Sequence, residues 1–389
     1  MEFGFTPEQE AFRREVRDFL AVEIPRDWPG RQFTSITHEE WLQAREFDRK
    51  LATKGWLTLA WPKEYGGQER SHLEQLVFQE EMGYHHAPNG GGWAHGPVFV
   101  GPTIYHYGSD EMKQRFLPPI SRGEAVWCQG FSEPAAGSDL ASLQTRAVRD
   151  GDDFVVNGTK HFVGQGARAG WCILAVRTDP DSPRHKGVST MLLDMHSPGV
   201  TTEPMPTMPM YGAQTRIILD DVRIPASQLV GEENRGFYQM MSTMDFERNR
   251  IMNAAEVNRV IDDLWAYARD RGLLRDPVVR HKLIDRKIEA KTAILHNYRI
   301  GWLLNAGKIP NYEASIGKVF TEELRKRAAA TGMEVLGLYS QLSLGEPHSP
   351  DLGKLQDFYL AMVSATIVGG SSEIQRNVIA TRGLGLPRG

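Results

Sequence analysis

Trp127 to Asp139, WCQGFSEPAAGSD, and the stretch that answers it, Lys160 to Gly166, KHFVGQG, decide the fold. The first reads as a strand, 125–131, that ends in Ser132-Glu133-Pro134 and opens into a loop. The small residues of that loop, Ala135, Ala136, Gly137 and Ser138, let backbone come close to a bound group. The second carries an aromatic, Phe162, beside Gly164 and Gly166, as expected where a ring stacks on a planar ligand and its neighbours stay clear. Taken alone, a Ser/Gly loop after a strand reads equally well as a tight turn.

Length and charge set the frame around these stretches. A chain of 389 residues is too long for one ordinary core and should divide into two or three units that share a site. A net charge of -4 offers no basic excess for phosphates, which argues against nucleic acid or a membrane surface and for small molecules or other subunits as partners. Cys128 and Cys172 have neither metal spacing nor the number for a disulfide framework, so no metal and a reducing compartment are expected. The first residues, MEFGFTPEQEAFRREVRDFL, scatter charges through their apolar positions and read as neither signal peptide nor membrane helix. A soluble, cytoplasmic protein with no membrane insertion follows as the expectation.

The chain divides by periodicity. From 1 to 124 it is helical: Thr6 with Glu8 and Glu10 suits a cap with first-turn acids, and Phe12, Val16, Phe19 and Leu20 fall on one face. A loop over Trp56 to Gly67, a helix over His72 to Met82, the Gly90-Gly91-Gly92 run, a segment Val98 to Tyr107 and a helix from Ser109 to about Pro118-Pro119 complete it. From 125 to 235 the period becomes 2. Short β-rich runs (Thr145 to Val148, Asp153 to Asn157, Trp171 to Val176, Ser189 to Leu193, Thr215 to Leu219, Val222 to Pro225) predict an antiparallel β domain, with Asp150-Gly151-Asp152 as a hairpin turn. From 236 to 389 four amphipathic helices are expected, roughly 237–270, 277–305, 312–339 and 351–381, forming a bundle of a size that commonly supplies a subunit interface.

In order and spacing, Ser132-Glu133-Pro134-Ala135-Ala136-Gly137-Ser138-Asp139 followed by Asn157-Gly158-Thr159-Lys160 and Phe162 resembles the flavin-embracing segments of the acyl-CoA dehydrogenase family. LAWPKEYGG and YGSDEMKQRFLPPI also look like that family's N-terminal helices. The resemblance implies an α+β fold: an N-terminal helical domain, a middle antiparallel β-barrel domain and a C-terminal four-helix bundle. It further implies FAD as cofactor, an acyl-CoA substrate oxidised to a trans-2-enoyl-CoA, an electron-transfer flavoprotein as acceptor, and a homotetramer (dimer of dimers) or a paralogous subunit as partner. By the same resemblance Phe131 and Ser132 contact the flavin ring with Gln129 nearby, Phe162 stacks on its face, and Gly137 and Ser138 lie along the cofactor, Ser138 toward the pantetheine or flavin phosphate. Arg271 would reach the pyrophosphate of a neighbouring subunit's FAD, although a solvated helix-end arginine reads as well, and Gly337, Ser371 and Glu373 would face the adenosine and pyrophosphate. Two departures stand out: Gly164 replaces a hydroxyl residue common near the flavin N5, and Glu334 replaces a common Gln.

The base is the decisive departure. Many family members carry a Glu just ahead of Gly-Thr in the C-terminal motif, whereas this chain reads Val368-Gly369-Gly370-Ser371-Ser372-Glu373. Met240, Met244, Glu247, Ile251 and Ala254 recur at helical steps, which sets Glu247 in an apolar stripe. From the residues alone a surface ion pair with Arg248 or Arg250 is the favoured reading. The resemblance favours catalysis, since Glu247-Arg248 matches the place where isovaleryl-CoA and long-chain acyl-CoA dehydrogenases hold their base. Ser138, Arg248 and Gly369 then belong to the substrate side, the last through a backbone N–H that polarises the thioester carbonyl. The same scaffold also admits an oxidase or a peroxyflavin monooxygenase, for which Gly164 is a mild pointer, or a partner subunit with reduced or no activity alone, for which Gly369 is one.

Overall fold

A computed structural model of the chain describes residues 4–30, 37–88, 95–208, 214–247, 250–351 and 353–387, without the side chains of 244–247. The Gly90-Gly91-Gly92 run and Trp93 therefore lie outside the described residues. In chain order the helices are α1 (Pro7–Glu23), α2 (His38–Thr53), α3 (His72–Tyr84), α4 (Gly101–Tyr107) and α5 (Asp110–Ser121). The strands follow: β1 (Trp127–Gly130), β2 (Arg146–Asp150), β3 (Asp153–Gly164), β4 (Trp171–Arg177), β5 (Val188–Asp194), β6 (Val200–Met205) and β7 (Gln214–Pro225). Then come α6 (Gly236–Glu247), α7 (Ile251–Asp270), α8 (Pro277–Asn305), α9 (Tyr312–Leu336), α10 (Lys354–Ala365) and α11 (Ser372–Val378). Contacts group these into two units, one of Ser35–Glu69 with Asn89–Glu247, the other of Met1–Thr34, Arg70–Pro88 and Arg248–Gly389. The N-terminal helices are thus shared out, α2, α4 and α5 to the first and α1 and α3 to the second.

The first unit is organised by a 7-stranded curled sheet in the order β1-β4-β2-β3-β7-β6, with β5 also on β4. The Asp150-Gly151-Asp152 turn forms as expected, joining β2 to β3 with Asp150 opposite Asp153 and Gly151 at φ 62. The sheet is mixed rather than wholly antiparallel. β1 runs parallel to β4 with Cys128 beside Cys172, and Arg146 bridges Arg177 in the same sense. No hairpin joins β1 to β4, so nothing forces them antiparallel. β6, whose polar VTTEPM gave no strand signal, takes the sheet edge, where Pro204 is tolerated. Alternation along β4 decides the core: Ile173 and Ala175 point to a cluster with Phe99, Phe116, Trp127 and Met240, while Cys172, Leu174 and Val176 point to one with Phe154, Ile217 and Val222. Buried on both faces, β4 reads as an apolar run instead of a polar alternation.

The second unit is helical. Thr6 and Ser71 close capping boxes with Gln9 and Glu74, and Phe12, Val16 and Leu20 are buried as their spacing requires. Small residues (Ala254, Ala290, Ala293, Ala328) let α7, α8 and α9 pack closely around Ile251, Val257 and Leu324. Gly83 of α3 lies so near α7 that a Cβ would fall 2.2 Å from the Met252 carbonyl. Two expected helices are broken. The 237–270 helix is α6, ending at Glu247, and α7, beginning at Ile251 after the non-helical Arg250, and the 351–381 helix is α10 and α11, with Gly369 and Gly370 between them at φ 65 and 88, which no right-handed helix accommodates. Among the described residues no helix is long and apolar enough to cross a membrane.

Candidate functional site

The loop after β1 is held from beneath by a buried ion pair. The Glu133 carboxylate accepts backbone N–H bonds from Gln144 (2.7 Å) and Thr145 (2.9 Å) and the Lys160 ammonium at 2.7 Å. Lys160, with no exposed surface, also donates to the Phe131 carbonyl at 3.2 Å, and the His161 N–H donates to the Ser132 carbonyl at 2.8 Å. Burial pushes the ammonium down to about 8 against the pull of the carboxylate. For Glu133 burial raises the carboxyl, but Lys160 and the donors at 144 and 145 outweigh it, so the group stays below its ordinary value and ionised. Both ends of the loop, 131–132 and 144–145, are therefore pinned to β3. Neither Glu133 nor Lys160 was given a role by the sequence reading, because a buried charge is recognisable only once its partner is placed.

Next to this anchor Phe162 sits at φ 55 with 63% of its surface exposed, its N–H directed at the Met205 sulfur at 3.4 Å. A bulky residue at positive φ, mid-strand and presented to solvent, is a departure that asks for a partner on the ring face. Two residues on, a Cβ at Gly164 would stand 3.8 Å from His95 Nε2. Burial pushes that imidazole down to about 4, so His95 is neutral at neutral pH. Gln129 is half-buried on β1 opposite Ile173, and Phe131 is buried edge-on to Phe99 at 5.6 Å. Ala136 is buried, Ser138 is exposed, and among the described residues no atom lies within 4 Å of a Cβ placed on Gly137. Gly158 is required by the fold itself: at φ 152 its Cβ would fall 2.6 Å from Thr145 Oγ1.

Profiles of the acyl-CoA dehydrogenase N-terminal, middle and C-terminal domains match residues 6–124, 128–222 and 234–384. The chain belongs to the acyl-CoA dehydrogenase family. It is similar to the acyl-CoA dehydrogenases FadE26 and FadE29 of Mycobacterium tuberculosis, at 36% identity (100% of this chain, 99% of the relative) and 33% (100% and 99%). Among solved structures it is similar to a steroid ACAD titled Tcur3481-Tcur3483, with a TM-score of 0.90, 32% identity and 100% of both chains covered. It also matches the ChsE4-ChsE5 complex from Mycobacterium tuberculosis, with a TM-score of 0.88, 34% identity and 100% of both chains covered.

As an acyl-CoA dehydrogenase this chain is an FAD-dependent enzyme, and the residues of its sheet unit fit that cofactor. The presented Phe162 ring offers a face to a flat system, Gly164 and Gly137 leave the approach open, and the pinned backbone at 131–132 supplies a fixed edge. Gln129, Phe131, Ser132, Gly137, Ser138, Phe162 and Gly164 are thus brought together on β1, the loop after it and β3. α6 is anchored within the same unit. Gly236 packs on the Ser189–Thr190 backbone, Met240 is fully buried, and Thr103 donates to the Thr243 hydroxyl at 3.2 Å. Glu247 is the last residue of α6, its side chain and that of Met244 are not among those described, and Arg248 lies outside the described residues. The apolar stripe expected on one helix is divided, Met240 on α6 and the buried Ile251 and Ala254 on α7.

The remaining residues of this acyl-CoA dehydrogenase sit at helix ends of the helical unit. Gly369 is at φ 65, and its carbonyl accepts from the Gln375 side chain at 3.4 Å. Ser371 caps α11 by accepting the Ile374 N–H at 3.3 Å, and Glu373 in its first turn is exposed, held below its usual value by its own backbone N–H and Ser371. Gly337 ends α9 at φ 59. Arg271 is exposed at the end of α7, its guanidinium 4.2 Å over the Tyr267 ring, and Glu334 is engaged by Lys282. Among the described residues no group of three or more His, Cys, Asp or Glu could hold a metal ion.

Proposed function

We propose that this chain removes the elements of hydrogen from the α and β carbons of an acyl-CoA thioester, leaving a trans-2-enoyl-CoA. The observation that carries the reading is the exposed Phe162 at positive φ above a loop pinned by Glu133 and Lys160, within a chain of this family. Bound FAD would supply the acceptor for the hydride of the β-carbon. The Glu247 carboxylate takes the α-proton, as the family resemblance and the bare Gly369 support, and the Gly369 N–H polarises the thioester carbonyl. Ser138 and Arg248 bind the thioester, and Gln129, Phe131, Ser132, Gly137, Phe162, Gly164, Arg271, Gly337, Ser371 and Glu373 hold the cofactor. Electrons leave to an electron-transfer flavoprotein.

The acyl group we favour carries a steroid-type ring system, because full-length likeness is strong to a structure titled a steroid ACAD. The partner we favour is a paralogous subunit, since the ChsE4-ChsE5 structure is titled a complex. An apolar line on α8 supports a subunit contact: Ile284, Ile288, Leu295 and Trp302 recur at helical steps and are 37%, 61%, 50% and 41% exposed. Anaerobic bleaching of the bound flavin by steroid side-chain and straight-chain acyl-CoA thioesters tests the reaction and ranks the acyl groups. Glu247→Gln should cut turnover by at least ~10²-fold while FAD stays bound, and near-normal turnover would remove Glu247 as the base. Phe162→Ala should lower FAD content after gel filtration.

Gly164, which supplies no hydroxyl, favours a second reading as an oxidase or monooxygenase on the same scaffold. Rapid reoxidation of the reduced protein by oxygen, with peroxide or a hydroxylated product, would select it. A third reading, a partner subunit with little activity alone, predicts bleaching only after co-expression with its paralogue.

A further inference from the structure

Arg250 immediately precedes α7, and its backbone N–H donates at 2.7 Å to the Asn297 side chain of α8, itself fully buried. The residue is thus fixed at its root, and its guanidinium extends to the turn between α10 and α11. A Cβ at position 369 would lie 2.6 Å from Arg250 Nη2, closer than side chains come, so the arginine fills the space that a residue other than glycine would take there. Its Nε is buried without a hydrogen-bond partner among the described residues. Leaving such a donor unmet is costly, an arrangement that makes sense where an acceptor arrives.

The surrounding charge has the sign to receive an anion. Lys318 on α9 is fully buried with its ammonium 3.4 Å from the Ala365 carbonyl. Glu322 is bonded to Arg325 (3.0 Å) and to the Asn253 amide (2.7 Å), and Arg325 also binds Glu256. Three cations (Arg250, Lys318, Arg325) therefore stand against two carboxylates (Glu256, Glu322). Of the other acids acting on Lys318, Glu323 is tied to Arg376 at 2.7 Å and Glu373 is exposed.

We propose that Arg250 is a further catalytic group, whose guanidinium binds the acyl oxygen of the thioester at the Gly369 turn and stabilises the negative charge that develops there as the α-proton leaves. The α C–H bond breaks, its proton passes to the base of the proposed reaction, and its electron pair is delocalised onto the oxygen that the guanidinium faces. This rests on the reading of the chain as an acyl-CoA dehydrogenase with its thioester carbonyl at Gly369. Glycine at 369 leaves the guanidinium its place, since a Cβ there would stand 2.6 Å from Nη2.

Acetoacetyl-CoA tests this without turnover, because its α-carbon ionises to an enolate that absorbs in the near ultraviolet. Titrated against pH on the FAD-loaded protein, the wild type should bind it and hold it largely as the enolate. Arg250→Gln should bind it with the ionisation constant reduced ~10²-fold, as for loss of one oxyanion donor, and Arg250→Lys should recover part of the effect. If the glutamine variant does not fold, Arg250→Lys decides the matter, its ionisation constant falling below that of the wild type. Ionisation unchanged in Arg250→Gln, or in Arg250→Lys where that is the variant that folds, would make Arg250 a structural residue and leave the proposed reaction standing. A wild type that neither binds nor ionises the ligand would overturn both.

Discussion

Buried charge serves different ends in the two units. In the sheet unit Glu133 spends two of its acceptor positions on backbone N–H groups at 144 and 145, and Lys160 spends one of its donors on the carbonyl at 131. That pair is coupled to the position of a loop. In the helical unit Arg325 binds the side chains of Glu256 on α7 and Glu322 on α9, and so fastens helix to helix. A buried ion pair contributes little net stability, yet removing one partner strands the other. The first kind of pair should therefore reveal itself in cofactor binding and the second in unfolding.

The comparison can be broken most forcefully at Arg325. Arg325→Met strands two buried carboxylates and should cost about 4 kcal/mol or more in denaturant unfolding, with flavin content changed only in proportion to unfolded protein; a cost under about 1 kcal/mol would show that the cluster is not buried as described. Lys160→Met strands one carboxylate and should cost about 3 kcal/mol together with FAD retention. The double variant Glu133→Gln/Lys160→Met should regain most of the stability and little of the FAD, and full recovery of FAD would end the claim that the pair positions the loop. The Arg13, Arg17 and Glu81 cluster sharpens the helical side. Burial raises the Glu81 carboxyl, but its bonds to His85, Arg17 and Arg13 bring it down to about 2 from an ordinary 4.5. Its folded value is the lower one, so its contribution is complete above pH 4.5 and is lost as pH falls toward 2. Allowing for the exposed Arg17, about 2 kcal/mol should disappear in that window, and Glu81→Gln should flatten the titration. Smallest is Thr6→Ala, which opens the capping box of α1 at a cost of about 1 kcal/mol, visible as earlier amide exchange in α1 than in α3.

The loop and strand that carry the flavin-facing residues were legible because their chemistry is local: Gly, Ala and Ser at a strand end, a turn at Gly151, an aromatic between glycines. The helical unit was legible in register but not in its breaks. A period of 3.6 runs unbroken from Met240 to Ala254, yet α6 ends at Glu247 and α7 begins at Ile251, and Gly369 and Gly370, read as a place in a motif, also lie between α10 and α11. Glu133, Lys160 and Arg250 escaped because each looks like a solvated charge until a residue far along the chain is set beside it.

By itself the sequence determined the kinds of element, the turn residues, the family and, through Gly369, that a base had to be sought elsewhere. Only the tertiary structure decided that β1 lies parallel to β4, that Glu133 and Lys160 lock a loop, and that a guanidinium occupies the space over Gly369. The reason is range: propensity and periodicity act over a few residues, whereas burial and charge pairing are set by groups that meet only when distant segments pack.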